Sequence, residues 1–427
     1  MKEYRAYIKK STLEGAIKCP PGKSETHREI FLSSFSEGVS NIQNPLLSRD
    51  TLATIEACRK FGAAITLKEN NTLVIKGRPK LEDHDRKIDA SNSGTTIRIA
   101  AALSALSRGE TELDGDSSLR TRPMRPLINA LRDLGAECSA SKDGLPPIWV
   151  RGKVAGGEVF VDGSVSSQFI SALLISGALM EEGLTLTITG NLVSYPYVEG
   201  TIEAMKRHGV GVKTVVPNKK YRVAKQAYSP ADYEISGDWS SAALIIVMAG
   251  LVGRKVEIVD NISQSFQGDR AILGYVQQVG MKIKSDGKRI FVESPKYLSG
   301  GRFDLNATPD LLPAIALLSL KSPEPIEIFN VAHARKKETD RIKVICQEFE
   351  KIGIEVTERG DGMRLQWNGE LYGTDFNSHD DHRLFMGFAI AGMYIGNCSV
   401  SHPESVDVSF PGFIEEMTRL RAKIEVR

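Results

Sequence analysis

Cysteine is scarce in this sequence of 427 residues, which contains five cysteines, an odd number. No two of them stand at the CxxC or CxxxxC spacing of a zinc knuckle. Neither a disulfide framework nor a cysteine-ligated metal site is therefore indicated. Residues 1–5 are charged and lack the apolar stretch of a secretory signal, so we expect a protein of the reducing cytoplasm.

Long apolar runs and an excess of one charge are also missing. The longest nearly apolar run, residues 242–252, is well short of the ~20 residues that cross a bilayer, so it predicts a buried helix. The 55 Lys and Arg residues nearly cancel the 53 Asp and Glu residues, and aromatic residues make up 7%. We therefore expect no membrane or nucleic-acid partner, although cations can still gather in one small site.

One pattern recurs along the chain: an amphipathic helical segment, then a glycine, then a strand-like segment. The glycines follow one another at intervals of 71 to 74 residues, at Gly62, Gly135, Gly209, Gly280 and Gly353. Each is predicted to occupy the left-handed position that closes a helix. A sixth copy, residues 414–421, runs into the last strand without its glycine. Alternating residues predict hairpins within residues 66–75, 212–223, 282–292 and 355–367.

A second helix in each unit opens with small polar residues and continues as an apolar run. The predicted openings are Gly22-Lys23-Ser24, Asn92-Ser93-Gly94-Thr95-Thr96, Ser166-Ser167-Gln168, Asp238-Trp239-Ser240-Ser241, Thr308-Pro309-Asp310 and Asp381-His382-Arg383. Helices that are apolar all round should be central and covered. Converging helix N-termini would form an anion site, although each residue taken alone resembles an ordinary N-cap.

The six units divide near the turn Tyr228-Ser229-Pro230. We predict an α/β (α+β) fold of two similar domains with three units each. Residues 21–228 form the N-terminal domain, and residues 1–20 together with 229–427 form the C-terminal domain. The N-terminal strand is expected to pair in the second domain.

Gly22-Lys23-Ser24 does not fit a phosphate-binding P-loop. Position 17, where that loop needs its first glycine, is Ile17, and Pro20-Pro21 remove backbone donors. Lys23 and Arg28 either face a ligand as cations or form a solvated basic surface.

Two further charged segments allow alternative interpretations. Lys337 and Arg341, at i and i+4, place like charges on one face of a predicted helix, which a bound anion would stabilise. The alternative is neutralisation by neighbours, with Lys336 reaching Asp340 and Glu338 reaching Arg341. Residues 379–383 resemble a metal cluster, but five adjacent residues cannot all converge on one ion. A helix-opening Asp with an Arg directed at an anion is favoured.

Eight motifs occur in order along the chain: Lys23-Ser24 with Arg28; Asn92-Ser93-Gly94-Thr95 with Arg98; Arg120-Thr121-Arg122-Pro123; Ser166-Ser167-Gln168-Phe169; Ser194-Tyr195-Pro196-Tyr197; Asp310; Lys337-Glu338-Thr339-Asp340-Arg341; and Asp381-His382-Arg383. Together they resemble the 5-enolpyruvylshikimate-3-phosphate (EPSP) synthase family of enolpyruvyl transferases, essentially over the whole chain. The resemblance implies two domains of three βαβαββ units each, an inside-out α/β barrel, with the active site in the interdomain cleft.

The resemblance also implies the reaction and its site. The family adds the 5-hydroxyl of shikimate 3-phosphate to C2 of phosphoenolpyruvate and then expels phosphate, with no metal or organic cofactor. The residues implied for shikimate 3-phosphate are Lys23, Ser24, Arg28, Ser166, Ser167, Gln168, Ser194, Tyr197, Asp310 and Lys337. Those implied for phosphoenolpyruvate are Lys23, Gly94, Arg122, Gln168, Arg341 and Arg383. Asp310, Glu338 and Lys23 are the candidates for proton transfer, with their individual roles left open.

Seven cations are accordingly expected to face the two small anions: Lys23, Arg28, Arg98, Arg122, Lys337, Arg341 and Arg383. We expect a monomer whose partners are these two small-molecule substrates. Val408 stands where many family members have Lys, which removes one expected cation. Gly22, Ile99 and His333 also depart from frequent family residues, and none of these four positions is taken as a binding residue.

Two other functions remain to be weighed. The sister enzyme that transfers enolpyruvyl to UDP-N-acetylglucosamine shares the architecture but generally carries a cysteine in the loop corresponding to residues 117–122, and this loop has none. An RNA 3′-phosphate cyclase or a nucleic-acid-binding repeat protein would use similar units, but it should show an extended basic surface with stacking aromatic residues.

Overall fold

The computed structural model describes residues 4–427 with the exception of 264 and 266. The chain forms two compact units. The N-terminal unit is Pro21–Ser236, and the C-terminal unit comprises Met1–Pro20 and Gly237–Arg427. No helix within the described residues is both long enough and apolar enough to cross a membrane.

The first two strands belong to the C-terminal unit and are β1 (Arg5–Lys9) and β2 (Leu13–Lys18). The N-terminal unit follows with α1 (Lys23–Ser34), β3 (Val39–Gln43), α2 (Arg49–Lys60), β4 (Ala64–Lys68), β5 (Thr72–Lys76), β6 (Arg86–Asp89), α3 (Gly94–Ser104), β7 (Thr111–Asp114), α4 (Arg125–Asp133), β8 (Glu137–Ala140), β9 (Ile148–Arg151), β10 (Gly157–Asp162), α5 (Ser167–Gly177), β11 (Leu184–Thr189), α6 (Tyr195–Arg207), β12 (Val212–Val216), β13 (Lys220–Val223) and β14 (Tyr233–Glu234).

The remainder of the C-terminal unit consists of α7 (Trp239–Val252), β15 (Gly253–Val259), α8 (Ile272–Gln278), β16 (Lys282–Ser285), β17 (Arg289–Glu293), β18 (Gly301–Asp304), α9 (Leu312–Leu317), β19 (Ile326–Phe329), α10 (Arg341–Lys351), β20 (Ile354–Arg359), β21 (Gly362–Trp367), β22 (Asp375–Phe376), α11 (His382–Ile395), β23 (Cys398–Ser401), α12 (Phe413–Arg419) and β24 (Lys423–Val426). Short 3₁₀ helices span Leu119–Thr121, Lys142–Gly144, Gly268–Ala271, Pro309–Leu311, Leu318–Lys321, Ala332–Lys336 and Pro403–Val408.

Within the described residues, each unit contains three four-stranded sheets built on one plan. The strand orders are β14-β3-β5-β4, β6-β7-β9-β8 and β10-β11-β13-β12 in the N-terminal unit, and β16-β17-β15-β2, β18-β19-β21-β20 and β22-β23-β1-β24 in the C-terminal unit. Each sheet joins one parallel pair to an antiparallel hairpin or its equivalent, as in β6-β7 followed by β9-β8. The predicted repeat, its hairpins and the pairing of the N-terminal strands in the second domain are thus confirmed.

Strands distant in sequence complete one sheet of the N-terminal unit and two of the C-terminal unit, where β2 pairs in parallel with β15. Strand β1 pairs with β23 and β24, and β14 pairs in parallel with β3. The pairing of β14 keeps the segment before it in the N-terminal unit, where Asp232 also accepts a hydrogen bond from the backbone N–H of Asn41 at 2.9 Å. The division between the units therefore falls after Ser236 and not at the predicted 228/229 boundary.

The repeated glycines close their helices as predicted. Their φ angles are 103°, 97°, 79°, 94° and 92° at Gly62, Gly135, Gly209, Gly280 and Gly353. In the sixth copy Arg421 takes the same left-handed position, with φ 73°, and the backbone N–H groups of Arg421 and Ala422 bond to Thr418 and Met417. One turn geometry therefore recurs six times, once without glycine.

The second helix of each unit forms the interior. Every residue of α7 is buried, which confirms the predicted buried helix over residues 242–252. Helices α3, α5 and α11 are buried along nearly their whole lengths because their sequences are apolar on every face. Their first turns follow the predicted polar residues, and Ser93, Ser166, Asp238 and Asp381 each accept a backbone N–H of the helix they precede.

Candidate active site

Helix α1 carries three of the predicted residues of the N-terminal unit. The Lys23 ammonium lies 3.0 Å from Asp50 Oδ2, at the start of α2. Arg28 is 7% exposed and donates to the carbonyls of Ser24 and Tyr197 at 2.6 and 2.9 Å. The first turn of α1 is therefore fixed by charge to α2 and by hydrogen bonds to α6.

The charge of Arg28 survives its burial. A third hydrogen bond runs from Arg28 Nε to Thr201 Oγ1 at 2.8 Å. Burial lowers the pKa of the guanidinium to about 10, while Tyr197 and the carboxylates of Glu25 and Glu29 act in the opposite direction. Since this pKa remains well above neutrality, Arg28 is a cation at physiological pH.

Three other predicted residues converge on Gly94 at the N-terminus of α3. A Cβ added to Gly94 would lie 3.1 Å from Arg98 Nη1 and 3.3 Å from both Arg122 Nη1 and Gln168 Oε1. Arg98 Nη1 donates to Gln168 Oε1, and Gln168 Nε2 donates to Thr95 Oγ1 at 3.1 Å. Two guanidinium groups, one amide and a helix N-terminus thus meet at a glycine, a combination suited to a small anion.

Asn92 and Ser118 hold Arg122 in this cluster. Arg122 Nη2 donates to Asn92 Oδ1 at 2.6 Å and to Ser118 Oγ at 3.2 Å. The guanidinium of Arg98 stacks on the ring of Phe169 with 5.0 Å to the centroid. We refer to Gly94, Arg98, Arg122 and Gln168 as the glycine-94 cluster.

The remaining predicted residues of this unit lie at the starts of α5 and α6. Ser166 caps α5, because its hydroxyl oxygen accepts the backbone N–H of Gln168 at 3.3 Å. The hydroxyl that was predicted to bind shikimate 3-phosphate therefore also has a structural role. Ser167 is 4% exposed in the first turn of α5. Ser194 precedes α6 with a left-handed φ of 53°, and Tyr197 lies one turn further on. The start of α5 adjoins α3 through the hydrogen bond of Gln168 to Thr95, and the start of α6 adjoins α1 through the hydrogen bond of Arg28 to the Tyr197 carbonyl.

In the C-terminal unit, Arg341 is the centre of a compact group of charges. It is 1% exposed and donates to Asp310 Oδ1 at 2.8 Å, to Glu338 Oε2 at 2.7 Å and to both oxygens of Asp381 at 2.7 and 3.2 Å. Burial by itself would lower the pKa of Arg341, but the carboxylates of Asp381, Glu338 and Asp310 raise it. Two of the three candidates for proton transfer, Asp310 and Glu338, are therefore fixed by one guanidinium.

The relation predicted between Lys337 and Arg341 was wrong in its geometry. Helix α10 begins at Arg341 because Asp340 is its N-cap and accepts the N–H of Lys343 at 3.0 Å. Lys337 lies before that helix, so the two cations do not share a helical face. They meet at Asp310 instead, whose Oδ1 is 3.5 Å from Lys337 Nζ.

The neighbouring contacts around α10 were predicted in part. Glu338 pairs with Arg341, as expected for neutralisation by neighbours. Asp340 pairs with Arg335 at 2.9 Å, where Lys336 was the predicted partner. The group of Asp310, Lys337, Glu338, Arg341, Asp381 and Arg383 is called the arginine-341 cluster below.

Arg383, in the first turn of α11, is the second guanidinium of this cluster. It is 4% exposed, with Nε 3.8 Å from Asp310 Oδ1 and Nη2 3.9 Å from Asp238 Oδ2. Val408 is 2% exposed at the end of the 3₁₀ helix Pro403–Val408. The position where many family members carry Lys is therefore filled by a buried apolar side chain.

Residues 379–383 diverge as expected from their adjacency. Asp381 binds Arg341, while possible ligand atoms of Asp380, His402 and Glu404 lie within 4.8 Å of one another. Of these three side chains, Glu404 is exposed and the other two are partly buried. Such groups are common on surfaces without an ion. The expectation that the protein uses no metal stays a prediction.

Sequence reasoning missed the acidic and amide partners of the cations, above all Asp50 and Asn92. Asp50 resembles an ordinary acid in the first turn of a helix, and Asn92 resembles a residue of a capping turn. Their partners lie 27 and 30 residues away. One signal in the sequence was available for Asn92. The apolar run after it indicates that the start of α3 is buried, and a charged group near a buried helix start needs a partner.

Two solved structures share this fold. EPSP synthase from Acinetobacter baumannii superimposes with a TM-score of 0.80 at 24% identity, covering 100% of both chains. The enolpyruvyl transferase NikO from Streptomyces tendae gives a TM-score of 0.76 at 14% identity, with 99% of each chain covered. These likenesses confirm the predicted fold class of two domains in an inside-out α/β arrangement.

Sequence similarity is more specific. The model of the EPSP synthase (3-phosphoshikimate 1-carboxyvinyltransferase) family matches residues 8–417. The 3-phosphoshikimate 1-carboxyvinyltransferase of Nitrosopumilus maritimus (strain SCM1) is 48% identical over 418 residues, which cover 98% of this chain and 99% of that protein. That of Methanosarcina acetivorans is 41% identical over 428 residues, with 99% of each covered. The chain belongs to the EPSP synthase (3-phosphoshikimate 1-carboxyvinyltransferase) family.

Proposed function

We propose that this protein transfers the enolpyruvyl group of phosphoenolpyruvate to the 5-hydroxyl of shikimate 3-phosphate and releases phosphate. This is a step of the shikimate pathway to chorismate and the aromatic amino acids. The observation that carries the proposal is the arginine-341 cluster, in which Asp310 and Glu338 lie beside the cations Lys337, Arg341 and Arg383. Addition and elimination need both proton-transferring groups and cations at one place.

Phosphoenolpyruvate is assigned to Lys23, Gly94, Arg122, Gln168, Arg341 and Arg383. Its phosphate is tetrahedral and its carboxylate is planar, and a guanidinium group can bind either anion by two parallel hydrogen bonds. The glycine-94 cluster suits this role because the absent Cβ leaves room next to two guanidinium groups. Arg341 donates four hydrogen bonds to carboxylates. Its main contribution to the site is therefore to hold Asp310 and Glu338 in place.

Shikimate 3-phosphate is assigned to Lys23, Ser24, Arg28, Ser166, Ser167, Gln168, Ser194, Tyr197, Asp310 and Lys337. Short hydroxyls and an amide suit a polyol, and Arg28 and Lys337 supply charge for its phosphate. The starts of α1, α5 and α6 carry most of this set, and the hydrogen bonds of Arg28 to Thr201 and to the Tyr197 carbonyl join two of them. Helix N-termini add partial positive charge for the same phosphate.

Three proton steps are required: the 5-hydroxyl loses a proton, C3 gains one, and C3 later loses one. Asp310 and Glu338 can accept or return protons as carboxylates, and the Lys23 ammonium can donate one. Asp50 pairs with the Lys23 ammonium at 3.0 Å and so helps to hold it in place. We propose no division of the three steps among the three residues.

The test is a steady-state assay of phosphate release with both substrates. We expect release that needs shikimate 3-phosphate and phosphoenolpyruvate together and that persists in excess chelator, since the proposed reaction uses no metal or organic cofactor. Turnover of UDP-N-acetylglucosamine, with none of shikimate 3-phosphate, would overturn the proposal in favour of the sister enzyme. We further propose that the enzyme acts as a cytoplasmic monomer, which gel filtration and fractionation of the source cells can check.

Variants tie the activity to these residues. Arg122→Ala and Lys23→Ala should each lose at least about two orders of magnitude in kcat/KM while keeping the circular dichroism spectrum of the native fold. Arg59→Ala is the matched control, because this arginine of α2 is 44% exposed and pairs with Glu56 on the surface. Native rates in both site variants would show that the site is misassigned.

A further inference from the structure

A chain of short hydrogen bonds crosses the buried interior of the N-terminal unit. His27 Nδ1 of α1 lies 2.6 Å from Thr54 Oγ1 of α2, which in turn lies 2.6 Å from Thr96 Oγ1 of α3. Thr96 Oγ1 donates to Ser93 Oγ at 2.7 Å, and Ser93 caps α3 by accepting the Thr96 backbone N–H at 3.1 Å. All four side chains are at most 1% exposed. We refer to His27, Thr54, Thr96 and Ser93 as the histidine-27 chain.

The donors and acceptors of this chain follow from its far end. Thr96 has one hydroxyl proton and gives it to Ser93, so from Thr54 it can only accept. Thr54 therefore gives its own proton to Thr96, since its other acceptor, the Asp50 carbonyl, is at 3.5 Å. His27 Nδ1 must then be the donor to Thr54.

The state of His27 agrees with this direction. Burial lowers the pKa of His27 well below 6.5, and the charges of Lys23 and Arg28 lower it further, so the imidazole is neutral at pH 7 and carries one N–H. Its Nε2 is buried without a hydrogen-bond partner among the described residues. Because a buried N–H is rarely left without an acceptor, the proton belongs on Nδ1.

The helices joined by the chain carry residues of the proposed site. Helix α1 begins at Lys23, α2 carries Asp50, which pairs with Lys23 at 3.0 Å, and α3 begins at Gly94. Helix α3 is also bound to Gln168 of α5 by the hydrogen bonds of the glycine-94 cluster. Gly94 is therefore held from two sides, by the histidine-27 chain and by Gln168.

The rest of α3 offers few directional contacts. Apart from Arg98, residues 97–103 are Ile, Ala and Leu. Hydrophobic attraction is non-directional, so it buries α3 without specifying its position along the neighbouring helices. Buried hydrogen bonds are directional and costly to leave unmade. The histidine-27 chain therefore sets the distance between Gly94 on α3 and Lys23 on α1.

We propose that His27 and Thr54 are positioning residues whose hydrogen bonds hold Gly94 at the distance from Lys23 that the phosphoenolpyruvate anion requires. This inference rests on the proposed function, which assigns both Lys23 and Gly94 to phosphoenolpyruvate. Shikimate 3-phosphate also uses α1, but α6 is joined to α1 by Arg28, independently of the chain. Loss of the chain should therefore weaken the binding of phosphoenolpyruvate selectively.

Thr54→Val removes the middle hydroxyl of the chain and keeps the shape of the side chain. We expect the KM for phosphoenolpyruvate to rise about fivefold and the KM for shikimate 3-phosphate to change by less than about twofold. Thr54→Ser keeps the hydroxyl and should hold both values within about twofold of native.

Thr111→Val is the matched control for the loss of a buried hydroxyl. Thr111 is fully buried in β7 of the same unit, and its hydroxyl has no hydrogen-bond partner in the described part of the chain. Both KM values should stay native in this variant. A rise in the KM for phosphoenolpyruvate equal to that in Thr54→Val would contradict a role specific to the chain.

Two changes at His27 test the donor that begins the chain. An asparagine amide N–H can replace Nδ1–H, so His27→Asn should keep the KM for phosphoenolpyruvate within about twofold of native. His27→Leu removes the donor and should raise that KM about fivefold, as Thr54→Val does. This pair also decides the matter if Thr54→Val does not fold.

The double variant His27→Leu/Thr54→Val tests whether the two residues act together. One broken link already opens the chain, so the double variant should raise the KM for phosphoenolpyruvate no further than Thr54→Val alone. Effects that multiply, to about 25-fold, would show that the residues act separately and would overturn the proposal.

The remaining outcomes separate this inference from the proposed function. Circular dichroism and thermal unfolding show which variants are folded. A lower melting temperature with both KM values unchanged in Thr54→Val and His27→Leu would mean that the chain serves stability alone, and an equal rise in both KM values would contradict a role at phosphoenolpyruvate. A native protein that turns over neither substrate overturns the proposed function instead.

Discussion

Arg341 and Asp381 form a two-point ion pair inside the C-terminal unit. Arg341 Nε lies 2.7 Å from Asp381 Oδ2, and Arg341 Nη2 lies 3.2 Å from Oδ1. Both side chains are almost completely buried. Asp381 also accepts the backbone N–H groups of Arg383 and Leu384 at the start of α11. One carboxylate therefore orients the first turn that carries Arg383 and the guanidinium that holds Asp310 and Glu338.

Asp381→Asn should separate these two duties. The amide oxygen can still cap α11, but the most deeply buried of the three carboxylates that bind Arg341 loses its charge. Arg341 keeps its ion pairs with Asp310 and Glu338, so we expect a loss of about 2 kcal/mol in the free energy of unfolding. We also expect a fall of about 100-fold in kcat, because Asp310 and Glu338 lose their fixed geometry. Urea unfolding and the phosphate-release assay measure the two effects.

Asp340→Asn is the matched control for stability. Asp340 is likewise an N-cap paired with an arginine, but its side chain is 33% exposed and that of Arg335 is 23% exposed. A partly solvated pair contributes less, so we expect a loss below about 1 kcal/mol. Equal losses in Asp340→Asn and Asp381→Asn would contradict the argument from burial.

Gly94→Ala tests the space beside the two guanidinium groups. The new methyl group would lie 3.1 to 3.3 Å from Arg98, Arg122 and Gln168, and it would occupy the place assigned to phosphoenolpyruvate. We expect the KM for phosphoenolpyruvate to rise by about tenfold and the KM for shikimate 3-phosphate to change little. Initial rates at varied concentrations of each substrate give both values.

Gly200→Ala is the control for a glycine-to-alanine change in a helix of the same unit. Leaving aside its chain neighbours and the backbone of its own helix, no atom of the described residues lies within 4 Å of a Cβ added at Gly200, which is in α6. Alanine should therefore stabilise the protein by about 0.5 to 1 kcal/mol and leave both KM values unchanged. A similar rise in KM in this variant would mean that the effect at Gly94 is not one of local space.

Local rules explain why the repeat could be predicted. A glycine that follows an amphipathic segment predicts a left-handed residue at the end of a helix. Gly209, with φ 79°, is one of the five examples. An apolar run behind a polar opening marks a buried helix for the same local reason. These features depend on neighbours within a few positions, so the sequence order alone reveals them.

The structure groups Arg98 with Arg122 and groups Lys337 with Arg341 and Arg383, as the sequence led us to expect, but the sequence did not predict the geometry of either group. The spacing of Lys337 and Arg341 suggested a shared helical face, but the N-cap at Asp340 starts the helix only at Arg341. The two are linked by Asp310, from a different segment of the chain. Asp50 carries no local signal, because its role comes from its pairing with Lys23, which lies 27 residues away in the sequence.

Arg421→Gly should stabilise the protein. Arg421 has φ 73° at the end of α12, where the other five copies of the repeat have glycine. A residue with a Cβ is strained in this conformation by roughly 1 to 2 kcal/mol, and glycine is not. The side chain gives little in return, since its ion pair with Glu14 at 3.5 Å is exposed. We expect a gain of about 1 kcal/mol in urea unfolding, with unchanged activity.

The reverse change at an equivalent position completes this test. Gly135 has φ 97°, and apart from its chain neighbours no atom in the described part of the chain lies within 4 Å of a Cβ added there. Alanine at this position therefore reports the backbone strain alone. Gly135→Ala should lose about 1 kcal/mol. If Arg421→Gly lowered stability while Gly135→Ala also did so, the six turns would not be equivalent.

His27→Gln should reduce the sensitivity of the fold to acid. His27 is 1% exposed in α1, with Nδ1 2.6 Å from Thr54 Oγ1, and its Nε2 is buried without a hydrogen-bond partner among the described residues. Burial lowers the pKa of His27 well below 6.5, and the charges of Lys23 and Arg28 lower it further. As pH falls below 6.5 the unfolded chain therefore binds a proton that the folded protein refuses, and stability decreases by up to about 1.4 kcal/mol per pH unit. The variant should lose this component, so its urea midpoint should fall less between pH 6.5 and 5 than that of the native protein. The control is His84→Gln, a change at a histidine whose side chain is 52% exposed, and it should leave the native pH dependence intact. If the urea midpoint fell equally with pH in the native protein and in both variants, His27 would not be a buried neutral histidine.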